Sequence, residues 1–338
     1  MIHRNYIISI CIFLFILSNI VTVASSTNNS KNILIEESKY QMEGLKILYV
    51  DDNNTEGPWE GTIEHPFQFI QDAINKSLLR GTVYVLNGTY YENIEIWKAL
   101  TLIGEDKNST IIDGDNNDTV IYISDHNVTV DGFTIKNSGD KYHRESGICI
   151  LEGRHYNTIK NNIFKNIPYI CILLDVNSDN NIISNNYMEE STTGIEISFN
   201  SINNTATYNH IEKCNRGIEI YASSNNKASC NNINNCKIGI IIDYSSNKNN
   251  ITNNNLLNIS KFGIYIGNSN KNKIENNNFI KCKTQARFVQ SWFNKWKGNY
   301  WEITRFSPKI IYGRVGPIFY LIPWVNFDWC PAKVPYVI

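Results

Sequence analysis

Seven asparagines recur at almost fixed intervals along the middle of the chain. They are Asn162, Asn186, Asn209, Asn231, Asn254, Asn277 and Asn299, separated by 24, 23, 22, 23, 23 and 22 residues. Two residues behind each lies an apolar column: Phe164, Met188, Ile211, Ile233, Leu256, Phe279 and Trp301. A Gly-Ile-x-Ile motif starts at Gly147, Gly194, Gly217, Gly239 and Gly263, with Tyr169-Ile170-Cys171-Ile172 read as a variant, the starts 22 to 25 residues apart. Alternating apolar residues make a strand with one buried face. The glycine is expected to permit a tight corner before that strand. Coils of this length with about three short strands are β-solenoid units, each stacked on the last through parallel ladders. Asparagine suits such a stack because it tolerates left-handed backbone at corners and can bond its counterpart one coil above. Helical repeats are excluded by the Asn, Thr and Ile content. The expected fold is all-β: a single-stranded right-handed parallel β-helix with coils of about 23 residues.

Composition decides between order and low complexity. The 338 residues include 51 asparagines, a polarity that often marks disorder. Here the Asn-Asn pairs sit between regular apolar triplets, which argues for a repeat. The net charge is −1, with 31 basic and 32 acidic residues spread along the chain. No basic block exists, so no nucleic acid partner is expected.

The N-terminus reads as a targeting segment, residues 1–26. His3 and Arg4 precede an apolar run from Tyr6 to Val23, followed by Ala24, Ser25 and Ser26. Cleavage is expected between Ala24 and Thr27, with an uncleaved anchor as the alternative. The mature chain is expected to have no stable membrane span and to be secreted or held at the cell surface. Ten Asn-x-Ser/Thr sequons, among them Asn87, Asn108, Asn127, Asn203, Asn250 and Asn258, would then be open to glycosylation. Residues 27–45 read as a linker, 46–119 as an N-terminal cap with the first coils, 120–301 as regular coils and 302–338 as a C-terminal cap. In the N-terminal part, Pro66 is expected to open an amphipathic helix with Phe67, Ile70, Ile74 and Leu78 on one face, covering the open first coil. Five of the seven tryptophans, Trp292, Trp296, Trp301, Trp324 and Trp329, fall in the last fifty residues as an aromatic cap. Cys149 and Cys171 take equivalent positions in successive repeats, as do Cys214 and Cys236. Side chains stacked in parallel rarely reach disulfide geometry, so free buried thiols are expected.

The segments "ILYVDDNNTEGPWEGTIEHPFQFIQDAINK", "GTVYVLNGTYYENIEI", "LIGEDKNSTIIDG" and "VTVDGFTI", with the close "KWKGNYW", resemble right-handed β-helix proteins with a NosD-like repeat domain. That group is also called CASH, for carbohydrate-binding proteins and sugar hydrolases. The resemblance covers about residues 46 to 301. It implies a pectin-lyase-like architecture and an exported location. One branch of the family supports copper-site assembly in nitrous oxide reductase, and many members are cell-surface proteins. Copper or calcium enters only through this analogy; no cofactor is otherwise expected.

Four chemistries compete. In a solenoid, outward residues of one strand align; here Cys149, Cys171, Glu196, Glu219, Ile241 and Tyr265 are expected in one column. Glu196 and Glu219, on adjacent coils, would sit ~5 Å apart, a separation that suits a retaining glycosidase pair. Tyr221, Asp243 and Tyr265 are the expected ligand-binding neighbours, with Tyr221 stacking on a sugar ring. The competing reading is two solvated glutamates on a sheet face, although like charges directly opposite cost stability. The aspartate cluster of galacturonan hydrolases is missing, and Arg216 shows no acidic cluster at matching positions. Copper needs soft or imidazole ligands close together; the six histidines are expected to make no close pair. Cys214, Cys236 and Cys282 share a column with Ile167 and Ile259, which points to core packing, so no metal site is expected. The loop His143-Arg144-Glu145, within the inserted stretch 138–146, and the tryptophan-rich tail are weighed as functional against a solvated loop and an end cap. The expected function is an exported, non-catalytic β-helix at the cell surface that binds polysaccharide or glycan or serves as a scaffold. The alternatives are a polysaccharide hydrolase or lyase using Glu196 and Glu219, and a copper-site assembly accessory.

Overall fold

The computed structural model describes residues 47–141, 144–304, 307–316 and 322–338. The expected signal segment and linker lie outside these. The fold is a right-handed parallel β-solenoid of about ten turns. A regular coil contributes three strands, such as Thr193–Ser198, Thr205–Thr207 and His210–Glu212. The first strands of successive coils stack into a long ladder that includes Ser146–Ile150, Ile170–Leu174, Arg216–Tyr221, Ile238–Asp243 and Phe262–Gly267. The second strands form a second ladder, and the two belong to one 22-stranded sheet; the third strands form a separate nine-stranded sheet. Ile195, Ile197, Ala206 and Ile211 fill one coil's interior with no exposed area. Burial of each such isoleucine contributes about 1.5–3 kcal/mol.

Each Asn-Asn pair divides two tasks. The first residue takes the left-handed corner, as at Asn161 (φ 55°), Asn185 (φ 56°), Asn253 (φ 56°) and Asn276 (φ 58°). The second points inward. The main-chain N–H of Asn186 donates to Oδ1 of Asn209 at 3.1 Å, and the same link runs from Asn162 through to Asn299. The amide nitrogen of Asn186 also donates to Asn209 Oδ1 and to the Ile159 carbonyl. Buried main-chain donors that a turn leaves orphaned are thus satisfied. A second ladder, which the sequence reading missed, does the same at the preceding corner: Asn157, Asn181, Asn204, Asn226, Asn249, Asn272 and Asn294. Its signal was available, because each member lies five residues ahead of its counterpart in the first column.

The glycine of Gly-Ile-x-Ile does not make a corner. Gly194 and Gly217 lie inside their strands, and neither has positive φ. A Cβ on Gly217 would stand 2.5 Å from the Gly239 carbonyl oxygen and 2.6 Å from Ile233 Cγ2. The motif therefore needs glycine for close approach between coils and to the core residue below. The variant repeat is also shifted by two residues. Ile148 pairs with Ile172 and Cys149 with Leu173, so Cys171, not Tyr169, takes the glycine position. Cys149 and Cys171 are not equivalent: Cys149 faces outward and Cys171 lies in the core. All seven described cysteines are free thiols.

At the N-terminal end the strands Ile47–Val50 and Thr82–Val85 pair in parallel. The helix α1 spans Ile70–Lys76 and starts later than expected. Phe67 lies ahead of the helix and makes an isolated parallel bridge to Val50, and Leu78 lies beyond the helix, 45% exposed. The Glu92 carboxylate accepts the N–H groups of Ile70 and Gln71, capping the helix from the following coil. At the other end a hairpin of Lys309–Val315 and Ile322–Asp328 continues the two ladders. Trp301 stacks on Phe279 at 4.4 Å.

Candidate functional site

The outward face of the long ladder gathers most of the chemistry. The pairing register sets Tyr122, Cys149, Leu173, Glu196, Glu219, Ile241, Tyr265 and Arg287 in one row. Leu173 occupies the place that had been expected for Cys171. A neighbouring row at the strand ends carries Ser198, Tyr221 and Asp243, with Asp175 one coil earlier. Of the expected site residues, Glu196, Glu219, Tyr221 and Asp243 lie on three consecutive strands, and Tyr265 lies on the next.

Two arginines organise the carboxylates. Arg144 Nη2 lies 2.8 Å from Asp175 Oδ1, and its Nη1 lies 3.4 Å from Glu196 Oε1. Arg216 Nη1 lies 3.2 Å from Glu219 Oε2. The inserted stretch thus delivers a guanidinium across two coils, and Arg216 pairs with the single carboxylate of Glu219. The sequence does not show the Arg144 contact, since Arg144 and Glu196 are 52 positions apart, whereas Arg216 and Glu219 are only three apart. The two glutamate side chains are only 14% and 13% exposed. Burial holds both carboxyls above the ordinary carboxylate value, and the facing arginines only partly offset it.

An aromatic strip runs beside these charges. Phe199, Tyr221 and Tyr244 come from successive coils. Tyr221 meets Phe199 edge-on at 5.4 Å and stacks on Tyr244 at 5.0 Å. Phe199 is 39% and Tyr244 60% exposed. Arg144 lies over the Phe199 ring. Exposed aromatic side chains beside ion-paired carboxylates can make apolar contact with sugar rings, and the carboxylates can accept hydrogen bonds from sugar hydroxyls.

Metal donors do not converge. No group of three or more His, Cys, Asp or Glu among the described residues could hold a metal ion. His126 and His155 do form a pair, which corrects the expectation: their rings stack at 5.1 Å. They sit at equivalent positions on adjacent coils, 29 residues apart because that coil is enlarged. Each Nδ1 is committed, since His126 accepts from the His155 N–H and His155 from the Asp179 N–H. Cys214, Cys236 and Cys282 are buried, and each Sγ lies against a main-chain carbonyl. Burial pushes the Cys149 and Cys282 thiols up to about 12, away from the thiolate that copper binding requires, while the hydrogen bond with Cys236 lowers Cys214. The described residues therefore do not fit a resident copper ion.

A family model described as periplasmic copper-binding protein (NosD) matches residues 74–261. Comparison with curated proteins gives no match. Among solved structures, the complex of XylC with xylose is similar with a TM-score of 0.56 at 11% identity, over 84% of this chain and 73% of that one. A rhamnogalacturonan lyase gives 0.46 at 14% identity, over 85% and 80%. An alginate lyase from Paenibacillus sp. gives 0.46 at 10% identity, over 68% and 92%. At 11% identity the likeness to XylC concerns the fold alone. No helix among the described residues is long and apolar enough to cross a membrane.

Proposed function

The chain belongs to the NosD family, a periplasmic β-helix family, and from that premise we propose that it is an exported scaffold whose long-ladder face binds cell-surface glycan without cleaving it. The observation that carries this reading is the aromatic strip Phe199, Tyr221 and Tyr244 beside the ion-paired carboxylates. Rings repeated at the coil step of ~4.8 Å and stacked on one another offer a continuous strip of ring edges and tyrosine hydroxyls along which an extended sugar chain can lie. Both glutamates face guanidinium partners, which favours hydrogen bonding over acid–base work. The purified protein should be retained on insoluble cell-wall polysaccharide. Tyr221→Ala with Tyr244→Ala should weaken retention about tenfold, since each lost stacking contact costs roughly 0.5–1.5 kcal/mol. Retention unchanged in the double variant would overturn the assignment of this face.

One observation favours a second reading, glycan cleavage. Glu196 and Glu219 are adjacent, buried and raised in pKa, as a general acid needs to be. That reading expects new reducing ends or unsaturated products from a polysaccharide panel, lost in Glu219→Gln. No release from any polymer of the panel would remove it.

A further inference from the structure

A different face carries a second, unassigned surface. On the second ladder, Lys227 pairs with Asn250, Asn250 with Lys273, and Lys273 with Lys295. The next outward position carries Lys297, opposite Glu275. Lys248 and Lys271 occupy successive left-handed corners just ahead of these strands. All six lysines are exposed. The sequence shows no basic block because the six are spread over 71 positions, from 227 to 297; coil stacking brings them together. Glu275, 3.3 Å from Lys295, is the one outward-facing carboxylate among the described residues of this stretch of ladder; Asp328, paired at Trp296, is buried. Lys273 and Lys295 stand directly opposite each other, a like-charge arrangement that costs stability.

The stripe ends in a cavity of about 490 Å³ lined by Phe293, Lys295, Lys297, Phe327 and Trp329, among others. Phe293 is 81% exposed, and Phe327 and Trp329 stack at 4.9 Å. Ammonium groups at the entrance and ring faces inside suit a ligand that is both anionic and saccharide-like.

We infer that this lysine stripe and its terminal aromatic cavity form a binding site for a polyanionic polysaccharide, distinct from the long-ladder face. Charge complementarity selects a polyanion. The spacing selects among polyanions. The row advances coil by coil in steps of ~4.8 Å, close to the length of one hexopyranose unit, with lysine at three of its four rungs and Asn250, itself a hydrogen-bonding side chain, at the other. Duplex DNA places a phosphate every ~3.4 Å of each strand and turns away from a straight row. Lysine ammonium groups act as point charges without the planar fork that reads bases or phosphates.

The test uses polygalacturonate, neutral dextran and single-stranded DNA as probes of the full chain. Polygalacturonate should bind, dextran should not displace it, and affinity should fall at least tenfold between about 50 and 200 mM salt, as counterion release requires. Lys273→Glu with Lys295→Glu should lower affinity at least tenfold, and Lys273→Gln with Lys295→Gln less. Both pairs are surface changes, and an unchanged melting temperature checks their fold. The salt-resistant retention on insoluble cell-wall polysaccharide that is assigned to the Tyr221–Tyr244 face should be unchanged in both lysine pairs, which separates this site from the proposed glycan face. Polygalacturonate affinity unchanged by charge reversal would overturn the inference, as would absence of binding at low salt. Equal affinity for single-stranded DNA at matched charge would overturn the polysaccharide assignment.

Discussion

In each Asn-Asn pair the first residue bends the chain and the second bonds the next coil, and the two places differ in what they tolerate. Tyr208 and Cys230 adopt the same corner conformation, with φ of 56° each. The second place holds asparagine at all seven rungs, because only a short side chain with both acceptor and donor can serve two coils at once. Asn231 Oδ1 accepts from the N–H and the amide of Asn209, while its Nδ2 reaches Ala206 O and Asn254 Oδ1. Asn231→Leu would orphan several buried groups at about 1–3 kcal/mol each, an expected loss of about 3–5 kcal/mol. Asn232 contacts only His210 Nδ1, and its Oδ1 has no hydrogen-bond partner, so Asn232→Leu should cost less than about 1 kcal/mol. Urea denaturation of the two variants checks this, and equal midpoints would show the register to be wrong. Rows of this kind were open to sequence reading, because a fixed period exposes an equivalent residue in every coil. The His126–His155 pair was not, because an enlarged coil displaces it from that period.

At the scale of the strand, legibility fails for identifiable reasons. Residues Ile170-Cys171-Ile172-Leu173-Leu174 are apolar throughout, so alternation cannot say which face each takes. The correct register comes from pairing with Ile195 and Ile197. The row of Glu196 and Glu219 is readable from the motif alone, whereas the arginines that face it are not. Arg144 comes from an insertion outside the repeat, and Arg216 lies at the strand start. The strand face also has a pH signature. A carboxyl raised in the folded state holds its proton more firmly there than in the unfolded chain. Its contribution to stability is then highest below the ordinary value of about 4.3 and is lost as pH rises through the raised value. Glu196 and Glu219 both follow this sign. Wild-type melting temperature should therefore decline as pH climbs through that window. Glu196→Gln with Glu219→Gln should flatten the decline and melt higher than wild type at pH 7. Arg144 and Arg216, with side chains 44% and 39% exposed, can turn to water when their partners are neutral. A double variant that melts lower at pH 7 would show that the ion pairs outweigh the desolvation.

Across the whole molecule, stacked coils make stability a near-neighbour property, and the last rung of each ladder is the exposed end of that chain. The first asparagine ladder does not stop in water. Asp328, from the closing hairpin, is fully buried, and its Oδ2 accepts the N–H and amide of Asn299 and the Trp301 indole N–H. Its Oδ1 accepts from Gly298 and Cys330. A carboxylate brings two acceptor oxygens with about four lone-pair sites and no proton of its own to place, so the five donors share them, three at Oδ2 and two at Oδ1. The residue thus joins the cap to the repeat, and the hairpin strand that carries it pairs with the last coil at Trp296. Asp328→Ala would leave these donors unsatisfied in a buried site and release the hairpin. The consequence should be local in a one-dimensional stack. Amide exchange should accelerate across residues 273–301 and fade towards the N-terminal coils, with residues 94–136 unchanged. Asp328→Asn, which keeps the shape but surrenders acceptors for donors, should show a smaller effect of the same polarity. Exchange mapped by mass spectrometry along the chain checks the gradient. A uniform acceleration over every coil would show that the solenoid unfolds as one cooperative unit, with the cap holding all of it and not only its own end.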